Sequence, residues 1–566
     1  MNAIQQLLTD HLDIWTDADA DTEKKSGRGR SSGNADRVYG IKKLRELILE
    51  LAVRGKLVPQ APNDEPASEL LEKIAAEKTR LVKQGVIRKE NSLPAIADEK
   101  KLYRIPKSWE WVRLTDVYYS ISPSGKKLKT SEIVGEGKHP VVDQGQSYIA
   151  GYTNDSELLI VIPGPVVIFG DHTTEIKYID FDFVAGADGT KILRPYLMNE
   201  RFFYTYLKSY KLENRGYARH FKVLNDNLYA LPPLAEQHRI VAKVDELMAL
   251  CDQLEQQQTH SIAAHQTLVE TLLGTLTRVE SQQGFNAAWA RIASHFDTLF
   301  TTEASIDQLK QTILQLAVMG KLVPQDPNDE SASALLKRIQ AEKARLVAGG
   351  KIKKDKLLKP LTAEKRHYAL PHGWHLASFS ELGEFSGGKT PNTSRSEYWD
   401  GDIPWVTPKD MKSSLIVETE DHVSYKAVED GLAIIPPRSI LVVVRSGILR
   451  RTVPVAINAE HCTVNQDLKV LQLIQSEMAE YIRLMVQGFE QFIMEKLTKI
   501  GTTVESIKFD EFSTYQFPLP PLAEQHRIIA KVDELMALCD ALKARLADAQ
   551  AIQLHLADAI VEQAVC

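Results

Sequence analysis

Two blocks of this 566-residue chain are written twice. Leu51 to Ser68 returns 265 residues later as Leu316 to Ser333 with 15 of 18 positions identical, and Leu231 to Asp252 returns 288 residues later as Leu519 to Asp540 with one change, Val241 to Ile529. Self-similarity of this kind fixes architecture before any secondary structure is assigned, because whatever the first copy folds into the second must fold into as well. Between the paired blocks lie residues 103–230 and 368–518, which resemble each other only at their entrances, where Tyr103, Pro106 and Trp109 correspond to Tyr368, Pro371 and Trp374. The chain therefore divides into an extension (1–38), a helical repeat (39–102), a variable domain (103–230), a long helical region (231–304), the second helical repeat (305–367), the second variable domain (368–518) and a final long helix (519–566). Met1 to Trp15 reads as a short polar helix, and residues 17–36, rich in Gly, Ser, Arg and Asp and too polar to bury a core, are expected to be a flexible lead-in.

The repeated blocks are helical by pattern. Ile240, Val244, Leu247, Cys251 and Leu254 step by 4, 3, 4 and 3, the spacing of a coiled-coil seam, and Ile528, Val532, Leu535, Cys539 and Leu542 repeat it. Each helix should begin just after its Pro-Pro pair. The first should continue through Leu276, about 45 residues and roughly 65–70 Å at about 1.5 Å per residue. Shorter helices are predicted over 41–54, 67–84, 306–319 and 332–348, with Gly55, Gly85, Gly320 and Gly349-Gly350 as stops. Polar residues recur too: Glu236, Gln237, His238, Arg239, Lys243, Asp245 and Glu246 return as Glu524, Gln525, His526, Arg527, Lys531, Asp533 and Glu534. A solvated face tolerates substitution cheaply, so Glu236, Gln237, Arg239 and Lys243, with Glu524, Gln525, Arg527 and Lys531, are read as docking positions for two identical partners.

The variable segments mix β-type runs with Pro/Gly turns. Strands are predicted at Pro140–Gln146, Val166–His172, Tyr178–Val184, Ile403–Val406 and Ile440–Val444. A net charge of −6 gives no global footprint for nucleic acid, and residues 103–230 hold 16 Lys and Arg against 15 Asp and Glu. Any contact must be local. Candidates are Lys126, Lys127, Lys129, His172, Arg215, Arg219, His220 and Lys222 in the first segment, and Lys389, Thr390, Lys409, Lys412, Arg445, Arg450 and Arg451 in the second. Beside them stand the amides Gln144, Gln146, Asn465 and Gln466. Lys and Arg suit phosphates and guanine edges, and an amide can pair with adenine through two hydrogen bonds.

Catalytic motifs fail. Gly383 to Thr390 has the letters of a phosphate-binding loop but no buried strand before it and no helical period after it. Neither an Asn-Pro-Pro-aromatic loop nor a Gly-rich cofactor turn for methyl transfer occurs. Asp171, Glu175 and Lys177 are a weak echo of a Mg²⁺-dependent nuclease; that reading and a helical scaffold without a nucleic-acid role are the two alternatives. Four Cys with no CxxC pair give neither a disulfide framework nor a zinc site, and the apolar runs Leu158–Phe169 and Leu432–Val444 fall short of a membrane span, so a cytoplasmic protein is expected.

From about residue 39 to 562 the pattern resembles the specificity subunit of type I restriction–modification enzymes. The resemblance rests on Leu-Pro-Pro-Leu-Ala-Glu-Gln with its long helix and Gly-Lys-Leu-Val-Pro-Gln, each given twice. It rests also on Pro106-Lys-Ser-Trp-Glu-Trp111 and Pro371-His-Gly-Trp374, and on Phe169-Gly-Asp-His172, Gly388-Lys-Thr-Pro391, Ile403-Pro-Trp-Val406, Arg445-Ser-Gly447 and Val464-Asn-Gln-Asp467. It implies a mixed α/β fold with two target recognition domains. These would be separated by two long helical conserved regions forming a pseudo-twofold antiparallel coiled coil. It also implies a non-catalytic subunit in which each domain reads half of a bipartite double-stranded DNA site while the helices dock two modification (M) subunits. S-adenosylmethionine would sit in the M subunits, and ATP and Mg²⁺ in restriction (R) subunits, leaving this chain without a cofactor.

Overall fold

The computed structural model describes residues 11–17, 39–89, 96–123, 125–186, 189–212, 219–352, 370–499, 501 and 504–565. They form two compact units, one of residues 1–261 and 549–566 and the other of 262–548. Each holds one sheet-containing domain, one pair of short helices, and part of each long helix.

The short helices form where the apolar spacing places them. In the first unit Tyr39–Val53 buries Ile41, Leu44, Leu47, Ile48 and Leu51, and Ala67–Lys83 buries Leu70, Ile74 and Leu81. In the second unit Glu303–Val318 is capped by the Thr302 hydroxyl, which accepts from the Ser305 N–H, and Ala332–Ala348 by the Ser331 hydroxyl, which accepts from Ala334. The glycine stops Gly55 and Gly320 both take φ +69°, and a Cβ on either would lie within 2.5 Å of a proline ring carbon, Pro106 and Pro371 respectively. Only glycine meets both demands.

The long helices are Leu234–Arg278 and Leu522–Val565, 45 and 44 residues. In the first unit Ile240, Val244, Leu247 and Cys251 share a core with the short helices and with Ala557, against which Ile560 and Val561 also pack. In the second unit Ile528, Val532 and Cys539 share a core with Val269, Leu273 and Leu276. Each unit thus brings together the start of one long helix and the end of the other, the pairing of opposite ends expected of antiparallel helices. The predicted seam is not continuous. Between Leu254 and Val269 the first long helix is mostly exposed: residues 255–261, Glu-Gln-Gln-Gln-Thr-His-Ser, offer nothing apolar to bury, and Ile262 and Leu268 beyond them are exposed as well. The seam residues pack chiefly into the short-helix pair of their own unit.

The described part of the N-terminal extension holds the short helix expected there. Leu12–Asp17 is helical, and Trp15, fully buried, lies in one core with Ile41 and Leu44. An indole of that size overrides the polar character of the residues around it. The remainder of the stretch, from residue 18 to 38, lies outside the described residues.

The two variable domains share a framework that their sequences conceal. The first has an antiparallel sheet in which Thr190–Pro195 lies between Tyr118–Ile121 and Val166–Gly170, with Ile176–Ile179 at the edge. The second has the corresponding order: Leu468–Leu473 lies between Gly383–Gly387 and Ile440–Val443, with Val455–Asn458 next. Each adds a second sheet that contains a parallel pair, His139–Val142 beside Phe183–Gly186 in the first domain and Ile403–Val406 beside Thr463–Val464 in the second. The run 178–184, read as one strand, is two strands in different sheets. It turns at Asp180-Phe181-Asp182, where Asp182 accepts a hydrogen bond from the Ile162 N–H at 2.9 Å. Each domain closes on its own helices by a short antiparallel pair, Glu110–Arg113 with Leu228–Leu231 and His375–Ala377 with Phe517–Leu519.

Candidate nucleic-acid interface

Parallel strands leave a sheet at the same end, so the loops that follow them cluster there. In the first domain Lys127–Leu128, His139–Val142 and Phe183–Gly186 run parallel and deliver Lys129, Gln144 and Gly189 to one edge. The loop after Val166–Gly170 joins them through the Asp171 N–H, which donates to Gly189 O at 2.8 Å. Gln144 Oε1 accepts from the His172 N–H at 3.1 Å, and the Thr173 hydroxyl donates to Gln144 O at 2.5 Å. Asp171 O accepts from the His220 N–H at 2.8 Å, and Asp171 Oδ1 accepts from Phe221 at 2.9 Å, which brings Arg219 and Lys222 to the same place. Structure thus gathers Gln144, Gln146, His172, Arg219 and Lys222, with Lys129 on a neighbouring strand end. Gln146, Lys129, Arg219 and Lys222 are exposed. Lys126 and Lys127 are exposed as well, and Lys126 Nζ reaches Leu159 O at 3.0 Å.

Two candidates change role. His220 is 1% exposed with its Nδ1 3.0 Å from Asp171 O, so it braces the loops and cannot reach a groove. Gln144 holds the His172 backbone and fills the space above Gly189, where a Cβ would lie 2.4 Å from its Oε1. Arg215 lies outside the described residues.

The second domain repeats the scheme. Val444 N–H donates to Asp467 O at 2.8 Å, the counterpart of the Asp171 to Gly189 bond. Asn465 N–H donates to Val406 O at 3.0 Å and Lys389 N–H to Val464 O at 3.0 Å. Arg445 pairs with Asp467 at 2.7 Å, and the Thr390 hydroxyl donates to Gln466. Lys389, Arg445 and Gln466 are exposed in this cluster. Asn465 is only 6% exposed, and its amide holds the Asp467 N–H at 3.0 Å, so it shapes the loop. Gly388 explains the phosphate-loop letters: a Cβ there would meet Asn465 O and Val464 O at 2.1 Å. Gly383–Gly387 is itself a paired strand, with no phosphate cradle. Lys409 is exposed, 3.7 Å from Glu420. Lys412 lines a cleft with Gln311, Ile448, Gln487 and Glu490. Arg450 Nε lies 2.5 Å from the buried Glu505, and Arg451 beside it is exposed.

The nuclease reading finds no centre. Lys177, 5% exposed, donates to Asp143 O at 2.8 Å and Ser147 O at 2.6 Å, and burial lowers its affinity for a proton. Asp171 is engaged with the 219–222 loop as above. Among the described residues no group of three His, Cys, Asp or Glu could hold a metal ion.

Burial overturns the docking expectation for four of the repeated polar residues. Glu236 and Gln237 are 1% and 0% exposed, and Glu524 and Gln525 both 1%. Glu236 accepts from the Trp109 indole N–H at 3.0 Å and from Gln60 at 2.5 Å; Glu524 accepts from Trp374 at 3.0 Å and Gln325 at 3.2 Å. Gln237 and Gln525 donate to the Pro232 and Pro520 carbonyls at 2.9 and 3.0 Å. Arg239 binds Asp64 and Arg527 binds Asp329, each at 2.6 Å. Lys243 and Lys531 pair with Glu246 and Glu534 on their own helices at 2.8 and 2.9 Å. Glu236 and Arg239, like Glu524 and Arg527, belong to a knot that ties three segments: the Pro-Gln turn of the short-helix pair, the Trp at the domain entrance, and the first turn of the long helix. The missed partners Gln60, Asp64, Gln325 and Asp329 sit in the other duplicated block, so the signal was present in the sequence.

Desolvation pushes Glu236 and Glu524 above the ordinary carboxylate value near 4.5, against the pull of the indole and amide donors. For an acid whose folded affinity for protons is raised, the stability it contributes is full below the unfolded value and falls as pH rises through the folded one. The stability of the parent chain relative to a Glu236→Gln, Glu524→Gln variant should therefore decline as pH is raised upward from about 4.5. Thermal midpoints of both proteins across that range check it; parallel curves would refute the assignment.

The framework and the strand-end loops invite comparison with known proteins. The profile of the Type I restriction modification DNA specificity domain matches residues 106–264 and 371–549, one copy per variable domain with the adjoining helix. The chain belongs to the type I restriction–modification specificity subunits. The EcoAI specificity subunit of Escherichia coli is 39% identical, and the EcoEI subunit of the same organism 38%, each over the whole of both chains. The crystal structure of the specificity subunit from Thermoanaerobacter tengcongensis covers 82% of this chain and 98% of its own at 17% identity, with a TM-score of 0.35. Among the described residues of this specificity subunit no helix is long and apolar enough to cross a membrane.

Proposed function

We propose that the two domains read the two halves of a bipartite, asymmetric double-stranded DNA site. The carrying observation is that one strand framework presents different exposed side chains at matching strand ends. They are Gln146, Lys129, Arg219 and Lys222 in one domain, and Lys389, Arg445 and Gln466 in the other. Cations and amides on loops braced by backbone hydrogen bonds suit direct readout, because base contacts demand fixed geometry. The subunit itself is non-catalytic in this reading and acts in the cytoplasm. Adenine methylation belongs to M subunits carrying S-adenosylmethionine, and restriction to R subunits using ATP and Mg²⁺.

With Glu236, Gln237 and their counterparts turned inward, the docking face is what remains outside. Ala235, His238, Ala242, Asp245, Glu246, Ala249 and Leu250 are exposed on successive turns, and Ala523, His526, Ala530, Asp533, Glu534, Ala537 and Leu538 repeat them identically. Two faces of equal sequence with small residues for close approach fit two copies of one partner, the M subunit, although in the first unit Asp245 and His238 also meet Arg201 and Asn199 of the variable domain. M subunits covering the duplex would supply phosphate contacts that the acidic balance of this chain does not.

Mapping methylated adenines in a host carrying the complete system tests the proposal. A split, non-palindromic motif is expected. Replacing residues 106–230 with the domain of a relative should change one half of it and leave the other intact. A motif unaltered by the exchange would leave the scaffold reading in its place.

A further inference from the structure

The duplication creates a folding problem that the bipartite reading does not address. Short-helix pairs this similar could each settle on either long helix, within the chain or between two copies of it. The contact between them is nearly the same in both units: Arg45 Nη2 lies 2.6 Å from Asp252 Oδ1 in the first, and Lys310 Nζ reaches Asp540 Oδ1 in the second, at equivalent positions of the repeat. These ion pairs cannot distinguish right from wrong partners, since cation meets carboxylate in every combination.

One turn away the signs reverse. In the second unit Asp307 Oδ1 lies 2.7 Å from Lys543 Nζ. The equivalent positions in the first repeat are Lys42 and Glu255, and Glu255 lies 2.9 Å from Arg45. The acid sits on the short helix in one copy and on the long helix in the other. Three of the four side chains are partly shielded, Arg45, Glu255 and Lys543 at 17%, 25% and 25% exposed, while Asp307 is 60% exposed.

We propose that this reversed charge pair assigns each short-helix pair to its own long helix and disfavours exchange between the duplicated halves. Helix Tyr39–Val53 seated on the final long helix would set Lys42 and Arg45 against Lys543. Helix Glu303–Val318 seated on the first long helix would set Asp307 against Glu255. Both wrong pairings replace an attraction with a like-charge contact, which is how other helical assemblies select partners when their apolar seams are interchangeable.

The test uses the full chain, unfolded in denaturant and refolded by dilution at low ionic strength. The variant Asp307→Lys, Lys543→Glu keeps an ion pair at the native contact while giving both copies the same signs. Its equilibrium unfolding midpoint should match the parent, but the fraction recovered as correctly sized monomer with the near-ultraviolet spectrum of never-unfolded protein should fall about threefold or more. Adding Lys42→Asp and Glu255→Lys exchanges the signs completely and should restore the parent yield. High salt should narrow the gap between parent and double variant, because exposed charges are screened. A double variant that refolds as well as the parent, or a fourfold variant that fails to recover, would overturn the proposal.

Discussion

Trp109→Ala should lower the unfolding free energy of the first unit by about 4–5 kcal/mol, and Trp374→Ala that of the second by a similar amount. Each indole is buried, 3% and 7% exposed, against its glycine stop. Removing a buried Trp side chain costs about 3–5 kcal/mol in packing alone. Here the loss also strips Glu236 or Glu524 of one of two donors, and an under-bonded buried carboxylate adds about 1–3 kcal/mol, partly overlapping with the cavity. Against a typical total of about 5–15 kcal/mol such a change is severe. Trp109→Phe separates the two terms: most of the packing stays, the N–H is lost, and about 1–3 kcal/mol should follow. Denaturant titration of parent, Phe and Ala variants measures both steps. An Ala variant within about 1 kcal/mol of the parent would show that the knot does not hold the domain to its helices.

That knot also marks where the sequence could and could not be read. Helix positions followed from local pattern: the spacing Ile240, Val244, Leu247 and the glycine stops at 55 and 320 depend on near neighbours and came out within a few residues. The recurrence of Glu236, Gln237 and Arg239 was legible as constraint but not as direction. Identity between two copies says that a residue touches something equally constant, and here that something is Gln60, Asp64 and Trp109 of the same chain. Strand pairing was hidden for another reason. Val166–Gly170 lies beside Thr190–Pro195 and Gly383–Gly387 beside Leu468–Leu473, contacts between distant segments that no local period announces. The shared framework of two unlike domains therefore emerged only in three dimensions. Residue type and proximity to strand ends single out Arg445 and Gln466, which lie exposed in one loop cluster. Burial, set by the whole domain, removed His220 and Asn465 from the groove-facing set.

The inward turn of those polar residues moves the docking prediction to Leu250 and Leu538, 41% and 60% exposed on otherwise identical helix faces. Leu250→Asp should weaken attachment of one M subunit by roughly a hundredfold, the effect of about 2.8 kcal/mol at the centre of an interface. A carboxylate there would have to be desolvated against small apolar neighbours. Because the faces repeat, the outcome should be stepwise. Either single variant should bring down one M subunit per chain and the double variant none, read by mass measurement of the assembled complex. Both substitutions lie on solvated helix surface, so unfolding midpoints should stay within about 0.5 kcal/mol of the parent. The strand-end loops are untouched, so under the proposed function binding of the isolated subunit to DNA should persist while methylation disappears. A double variant that still carries two M subunits would place the docking surface elsewhere on the chain, and the identity of the two outer faces would then need another cause.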